Sequence, residues 1–508
     1  VTQASATLPD EAPGREPAAM SVRGAAVWAM AGQYLSFAIQ FIASVIISRW
    51  FLSPGEVGLF SIGMATALIV SVLQDFGLSR YISGLTELDT HEIARCGSVA
   101  VLFSALVAAI VAATAWPMAQ TYHEPRLTAI LLILAGSYLF VPMSVVPMAL
   151  MARAMQFRGH FVVNVCAALA QGGVAVTLAA AGYSSFALAW ATVAAAATRG
   201  IVAQVMRPSW PRRMRFDGIG QVVGFGARAS VLYLTGALGT RTPDLIVGKA
   251  LGITAVGLYS RAVSLSDQFR MLIAGAIGSV FFPAFARIRD RGEPLGPAYL
   301  RVCAGYSGVV WPAMVGLAMA SQPIIRLLYG PVWMHTAPLL AMIAIAEVLL
   351  IALPLVSDLP ILAGKLNQLL ARNLIDTAMS VILLAIGTHW GVEGAAGSRL
   401  IYAVFWFALY FRFMHRIVGF DLRGLLMIYV RSGLASLAAM IPLGLTYALW
   451  APPAAITFMQ LGLASASGVA CWLIALALLR HPVLGEILGV ASAVPVVHRC
   501  LPARFRTT

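Results

Sequence analysis

Seven charged residues stand where charge is expensive. Two long apolar stretches, 221–248 and 256–284, hold or adjoin Arg228, Arg241, Asp244, Lys249, Arg261, Asp267 and Arg270. A charged side chain at the centre of a bilayer costs about 2.5–3.5 kcal/mol on insertion scales and more in simulation. Several together are tolerable only if they pair or face a wet cavity. Arg241 and Asp244 are three residues apart, as are Asp267 and Arg270, and such residues share a helix face. Pairing would neutralise two arginines and leave Arg228, Lys249 and Arg261 as net positive charge. The chemistry that fits is capture of an anion in a cavity lined mainly by this half of the chain. The competing reading lets those three cations snorkel to the interfaces while the pairs merely tie helices together. Arg270 lies near mid-span and has the furthest to snorkel, which favours the cavity.

Other residues could line the same space. Ser260, Ser264, Asp267, Met271, Gly275 and Gly278 recur at helical spacing and make one face small and polar; close helix packing would also use the glycines. Asp75 and Arg80 lie toward the end of the second apolar segment, and Gln33 and Gln40 are seven residues apart on the first. These could face the cavity from the other side, or serve packing and helix ends. Glu347 is a candidate proton or cation site, or else the partner in an interhelical hydrogen bond. No enzyme constellation is present: the eight histidines stand apart near loops without metal-ligand spacing. No GxxxxGK[ST] loop for ATP occurs. The scattered cysteines signal neither a zinc site nor a disulfide framework. No metal or cofactor is expected.

These residues need membrane helices to position them. Of 508 residues, 60% are hydrophobic and 11% charged, against roughly a quarter charged in a soluble protein. An all-α membrane protein of about fourteen transmembrane helices is predicted, at 24–48, 56–79, 96–119, 127–150, 159–182, 184–206, 221–248, 256–284, 299–321, 335–363, 370–388, 395–414, 429–450 and 456–479. Pro338, Pro354 and Pro360 predict a kinked or broken tenth helix. Residues 1–20 are polar, Pro-rich and expected to be disordered. The net charge of +14 reads as topology rather than nucleic-acid binding, because arginines crowd alternate loops: Arg207, Arg212, Arg213 and Arg215; Arg287, Arg289, Arg291 and Arg301; Arg416 and Arg423. The intervening loops hold single charges such as Arg126, Arg326 and Arg399. Both termini are therefore expected in the cytoplasm.

The chain also repeats itself. ISRWFLSPGEVGLFS at 47–61 aligns with IVGKALGITAVGLYS at 246–260, matching Gly58 with Gly257 and Ser61 with Ser260. A weaker echo pairs Asn164 with Asn373 and Gly182 with Gly391. Two pseudo-symmetric six-helix lobes around a central cavity follow, a transporter design: an N-lobe over 21–206, a C-lobe over 207–420, two further helices over 421–480 and a cytoplasmic tail over 481–508.

LSPGEVGLFSI at 52–62, QDFGLSRYI at 74–82, DLIVGKALGITAVGLYSRA at 244–262, FFPAFARI at 281–288, PIIRLLYGPVW at 323–333 and the stretch 373–396 resemble the Wzx-type flippases of the multidrug/oligosaccharidyl-lipid/polysaccharide exporter superfamily. The resemblance covers roughly 20–420. It implies a multi-pass protein of the bacterial inner membrane that flips undecaprenyl-diphosphate-linked oligosaccharide for polysaccharide or O-antigen export. It implies no catalysis of its own, and it places membrane lipids, a polysaccharide polymerase and chain-length machinery among its partners. It carries over regionally that Arg228, Arg241, Arg261 and Arg270 receive the diphosphate. The last two helices depart from a twelve-helix pattern. A multidrug antiporter of the same superfamily would call for an acidic cavity, and a membrane polymerase for a large outer loop; neither fits.

Overall fold

The computed structural model describes residues 22–73, 78, 82, 89–211, 214–215, 236–278 and 281–492, and every regular element among them is helical. The first half holds α1 (Val22–Trp50), α2 (Pro54–Ser71), α3 (Thr90–Tyr122), α4 (Arg126–Tyr138), α5 (Pro142–Arg153), α6 (Phe157–Ala180) and α7 (Ser185–Met206). The second half begins with α8 over 236–251. It continues with α9 (Ile253–Gly278), α10 (Phe281–Asp290), α11 (Leu295–Met319), α12 (Ser321–Leu328), α13 (Thr336–Leu350), α14 (Asp358–Leu362), α15 (Leu366–Gly387) and α16 (Gly391–Val418). Then come α17 (Leu422–Leu449), α18 (Phe458–Leu478) and α19 (Val483–Ser492).

Local chemistry sets these boundaries. Ser53 and Glu56 form a capping box on α2, with Pro54 at its first turn; Pro lacks the N–H that would be orphaned there. Asp421 caps α17 by accepting from the Arg423 and Gly424 amides, and Thr457 with Gln460 boxes α18. The stretch 127–150 is one predicted helix but two observed ones, α4 and α5, bent by 44°. Pro142 opens α5 and cannot donate into the preceding turn. The tenth segment breaks as its prolines predict: α13 stops at Leu350, Pro354 lies in the gap, and Pro360 falls within α14. Within the expected tail, residues 483–492 form α19, packed on α11 and α18.

Among the described residues, nine stretches are long and apolar enough to span a membrane, or ten if the bent α4–α5 pair is one span. The predicted count of fourteen is not reached on that test. Helix α13 has 15 residues, and the seventh predicted helix is described only from 236 onward. Residues 1–20, Asp75, Arg80 and Arg228 lie outside the described residues.

The helices sort into two bundles with α17 and α18 appended. In the first, α6 packs on α1 and α7, and α4 on α3 and α7; in the second, α13 packs on α9, α11 and α16, and α16 on α15. Helix α17 lies against α11 and α18. One buried cluster joins the bundles, from Ile62 and Ile130 through Val256 and Leu265 to Leu340 and Ile343. Large apolar side chains such as Leu437, Ile441, Leu445, Ile474 and Leu478 are exposed, as a lipid solvent requires. The principal contact between bundles is α2 against α9, and it joins the two copies of the repeat. A Cβ on Gly58 would overlap the Ile253 carbonyl oxygen, and one on Gly257 the Pro54 carbonyl oxygen. Only glycine permits so close a crossing. In the weaker echo, Gly182 and Gly391 both have a positive φ, +84° and +76°.

Candidate functional site

Between the bundles lies a cavity of about 850 Å³. From the first half, α1 contributes Gln33, Ser36, Gln40 and Ser44, α6 contributes Asn164 and Gln171, and α7 contributes Arg199. From the second, α8 contributes Arg241 and Asp244, α9 contributes Ser260, Arg261, Ser264, Asp267 and Arg270, and α16 contributes Arg399.

One end of the cavity is closed by contacts between the halves. The Ser61 and Ser260 hydroxyls are 3.0 Å apart. Arg261 donates to the Ser44 and Ser48 hydroxyls at 2.5 and 2.6 Å. The same guanidinium lies over the rings of Tyr329 and Trp333, at 5.1 and 5.3 Å from their centroids. Trp333 Nε1 donates to the Ser48 carbonyl at 2.8 Å, and Arg49 to the Leu327 carbonyl. Tyr122 and Lys249 bridge α3 and α8 through the Leu245 and Thr121 carbonyls, each at 2.8 Å. Further from that end, Tyr34 on α1 donates to the Leu272 carbonyl on α9 at 3.4 Å.

The charges in the cavity fall into three groups. Arg270 pairs with Asp267 at 3.1 Å and with Glu347 at 3.3 Å, and Arg399 reaches the other Glu347 oxygen at 3.5 Å. Glu347 is buried between two arginines from different helices. Arg261 is spoken for by hydroxyls and aromatic faces. Arg199 and Arg241 have no ion-pair or hydrogen-bond partner among the described residues. Five arginines against Asp244, Asp267 and Glu347 leave the site two charges positive when all are ionised.

Residues 46–338 match a family described as polysaccharide biosynthesis protein. The chain belongs to that family. It is 20% identical over 382 residues to the lipopolysaccharide biosynthesis protein WzxC of Escherichia coli K12, covering 74% of this chain and 76% of that one. Its backbone resembles that of the lipid II flippase MurJ in an inward closed conformation, with a TM-score of 0.71, 13% identity, and coverage of 89% of this chain and 98% of that one. It also resembles an inward-facing multidrug resistance transporter of the MATE family, with a TM-score of 0.58, 14% identity, and coverage of 77% and 98%. The fold is thus one that these two transporters share, and fold alone does not choose between their cargoes.

The structure brings Gln33, Gln40, Arg241, Asp244, Arg261, Asp267 and Arg270 of this family member to one cavity. Ser260, Ser264 and Met271 of the α9 stripe line it as well. Arg241 and Asp244, whose spacing allows a pair, make no salt bridge. Lys249 sits at the closed end, bound to a backbone carbonyl. Sequence reasoning missed two cavity arginines. Arg399 reads as a loop charge although it falls inside the predicted segment 395–414; α16 starts at Gly391, which puts Arg399 two turns inside the helix. Arg199 was passed over, although it stands within the apolar segment 184–206 and meets the same criterion as Arg270.

Proposed function

We propose that this protein flips a polyprenyl-diphosphate-linked oligosaccharide, with undecaprenyl the carrier, across the bacterial inner membrane for polysaccharide or O-antigen export. The observation that carries the reading is Arg241, a cavity arginine on α8 that makes no salt bridge or hydrogen bond among the described residues, in a site that is positive overall. A diphosphate leaving water needs charge-assisted hydrogen bonds, and a guanidinium offers two in parallel. The names of the lipopolysaccharide and lipid II relatives support the cargo. A cavity with two surplus positive charges repels the organic cations of a multidrug antiporter.

Alternating access would rock one bundle against the other. With both termini cytoplasmic, the closed end at Ser61 and Ser260 faces outward, and the cavity accepts its lipid from the inner leaflet. Glu347, a candidate for ion coupling, is held by Arg270 and Arg399; in this state it serves as their counter-charge. Proton or cation entry at Glu347 would require those arginines to move. The test is reconstitution of the purified protein in proteoliposomes. Flipping of a fluorescent lipid-diphosphate oligosaccharide without uptake of ethidium supports the reading; ethidium transport without flipping overturns it.

A further inference from the structure

The two walls of the cavity differ in kind. The second-half wall carries charge, most of it committed to ion pairs or the Arg261 clasp. The first-half wall carries amides. Gln33 and Gln40 are one heptad apart on α1, and Asn164 and Gln171 one heptad apart on α6, so each pair repeats on one helix face. The two helices run side by side in matched register: a Cβ on Gly32 would lie 3.3 Å from Phe161, and one on Gly172 would lie 3.2 Å from Ala43. Gln33 and Asn164 therefore stand at one level, about 25 Å from the closed ends of their helices, and Gln40 and Gln171 at a second level about 10 Å nearer.

No hydrogen bond to a described residue engages any of the four amides. The buried Ser36 hydroxyl between them is also without a partner. Phe37 lies on the same stretch of wall. Arg199 enters from α7, about 21 Å from that helix's closed end, between the two amide levels and on the opposite bundle from Arg241.

We infer that this wall is a glycan subsite for an acidic oligosaccharide: its hydroxyls lie on the two amide rungs, and a sugar carboxylate lies on Arg199. The inference rests on the flippase reading above and adds what the head group beyond the diphosphate must be. A carboxamide offers donor and acceptor side by side, which suits adjacent sugar hydroxyls and gives a lipid tail nothing. The spacing of the rungs is close to the length of a disaccharide, and the Phe37 ring offers a face to the apolar side of a pyranose. Diphosphate finds no cation among the residues that α1 and α6 bring to the cavity lining. A neutral glycan would leave Arg199 unpaired in the occupied cavity, whereas a uronate or other carboxylated sugar would satisfy it.

The test uses the full chain in lipid nanodiscs and three soluble probes: inorganic pyrophosphate, cellobiose, and the uronate disaccharide cellobiouronic acid. Binding is followed by phosphorus and saturation-transfer NMR. The uronate probe is expected to bind about tenfold more tightly than cellobiose. Arg199→Ala should erase that difference while changing pyrophosphate affinity less than twofold. The paired change Gln40→Ala and Gln171→Ala should weaken both saccharides and spare pyrophosphate. Arg241→Ala should do the reverse. The subsite is overturned if neither saccharide binds, if Arg199→Ala leaves the uronate preference intact, or if the amide variants weaken pyrophosphate as much as sugar. Failure of pyrophosphate to bind the unmodified protein, with the saccharides bound, instead removes the diphosphate reading.

Discussion

Ser61 and Ser260 place their hydroxyl oxygens 3.0 Å apart, and each is the other's counterpart in the internal repeat. The two copies of VGL-aromatic-Ser meet where α2 crosses α9, and Gly58 and Gly257 let the two backbones touch. This crossing closes the cavity at one end. In an alternating-access cycle it must part. Ser61→Cys with Ser260→Cys should therefore cross-link readily and stop transport, and reduction should restore it. Gly58→Val puts a branched side chain into the Ile253 carbonyl and should abolish the cross-link. Labelling yields in membranes check this: rapid transport by the cross-linked protein would show that the crossing never opens.

Arg261 is the second fastening of that end. It gives two hydrogen bonds to α1 and lies over the rings of both Tyr329 and Trp333. A desolvated cation–π contact is worth about 2 kcal/mol, and lysine reproduces neither the fork nor the stack. Arg261→Lys and Arg261→Ala should both expose a cysteine placed at Ser61 to a water-soluble maleimide, several-fold faster than in the parent. Equal labelling rates would remove Arg261 from the closure.

Buried Glu347 balances Arg399 and the partly exposed Arg270. Removing one member of such a group leaves charge unpaired, at a cost of about 3–5 kcal/mol. Glu347→Ala should lower the thermal midpoint of the purified protein sharply. The double variant Glu347→Ala with Arg399→Ala should recover part of that loss, because one orphaned charge goes with its partner. Thermal unfolding by tryptophan fluorescence reads both. Additive losses in the double variant would show that the two residues act independently.

His481 lies just past the end of α18, buried beside α11. Its Nδ1 accepts from the Val483 amide at 3.2 Å, so the proton sits on Nε2, 3.0 Å from the Ser432 hydroxyl, which in turn meets Ser307 at 2.9 Å. Burial first, and the nearby Arg431 cation second, push its pKa down from 6.5 to about 4. The unfolded imidazole takes up its proton before the folded one does. The stability this residue supplies is thus complete above about pH 6.5 and is lost as pH falls from there toward about 4. The difference in thermal midpoint between the parent and His481→Gln should shrink between pH 7.5 and pH 4.5. A constant difference would mean that the ring does not titrate in that window.

Much of this was legible in the chain. Scarcity of charge gave the membrane, and the 47–61 and 246–260 echo gave the two bundles along with the residues that meet between them. Arg270 announced a polar interior because it stood too deep to snorkel. Its partner Glu347 is 77 positions away, and helical spacing offers no rule for pairs so distant. The three-residue spacing held for Asp267 with Arg270 and failed for Arg241 with Asp244. Spacing puts two side chains on one face but does not decide whether they turn toward each other or toward a cavity. Arg399 stands near the edge of the apolar run 395–414, where a lone charge reads as a loop residue; α16 begins at Gly391, after a short turn at 388–390, and carries it two turns inside the helix.

The central claim is that the positive cavity receives a diphosphate through Arg241. The most direct measurement is the flipping rate of a lipid-diphosphate oligosaccharide in proteoliposomes carrying Arg241→Ala, at matched protein content and unchanged thermal midpoint. Losing one charge-assisted bidentate contact, worth about 1.5–3 kcal/mol, predicts a rate reduced roughly ten- to a hundredfold. Flipping at the unmodified rate would contradict it.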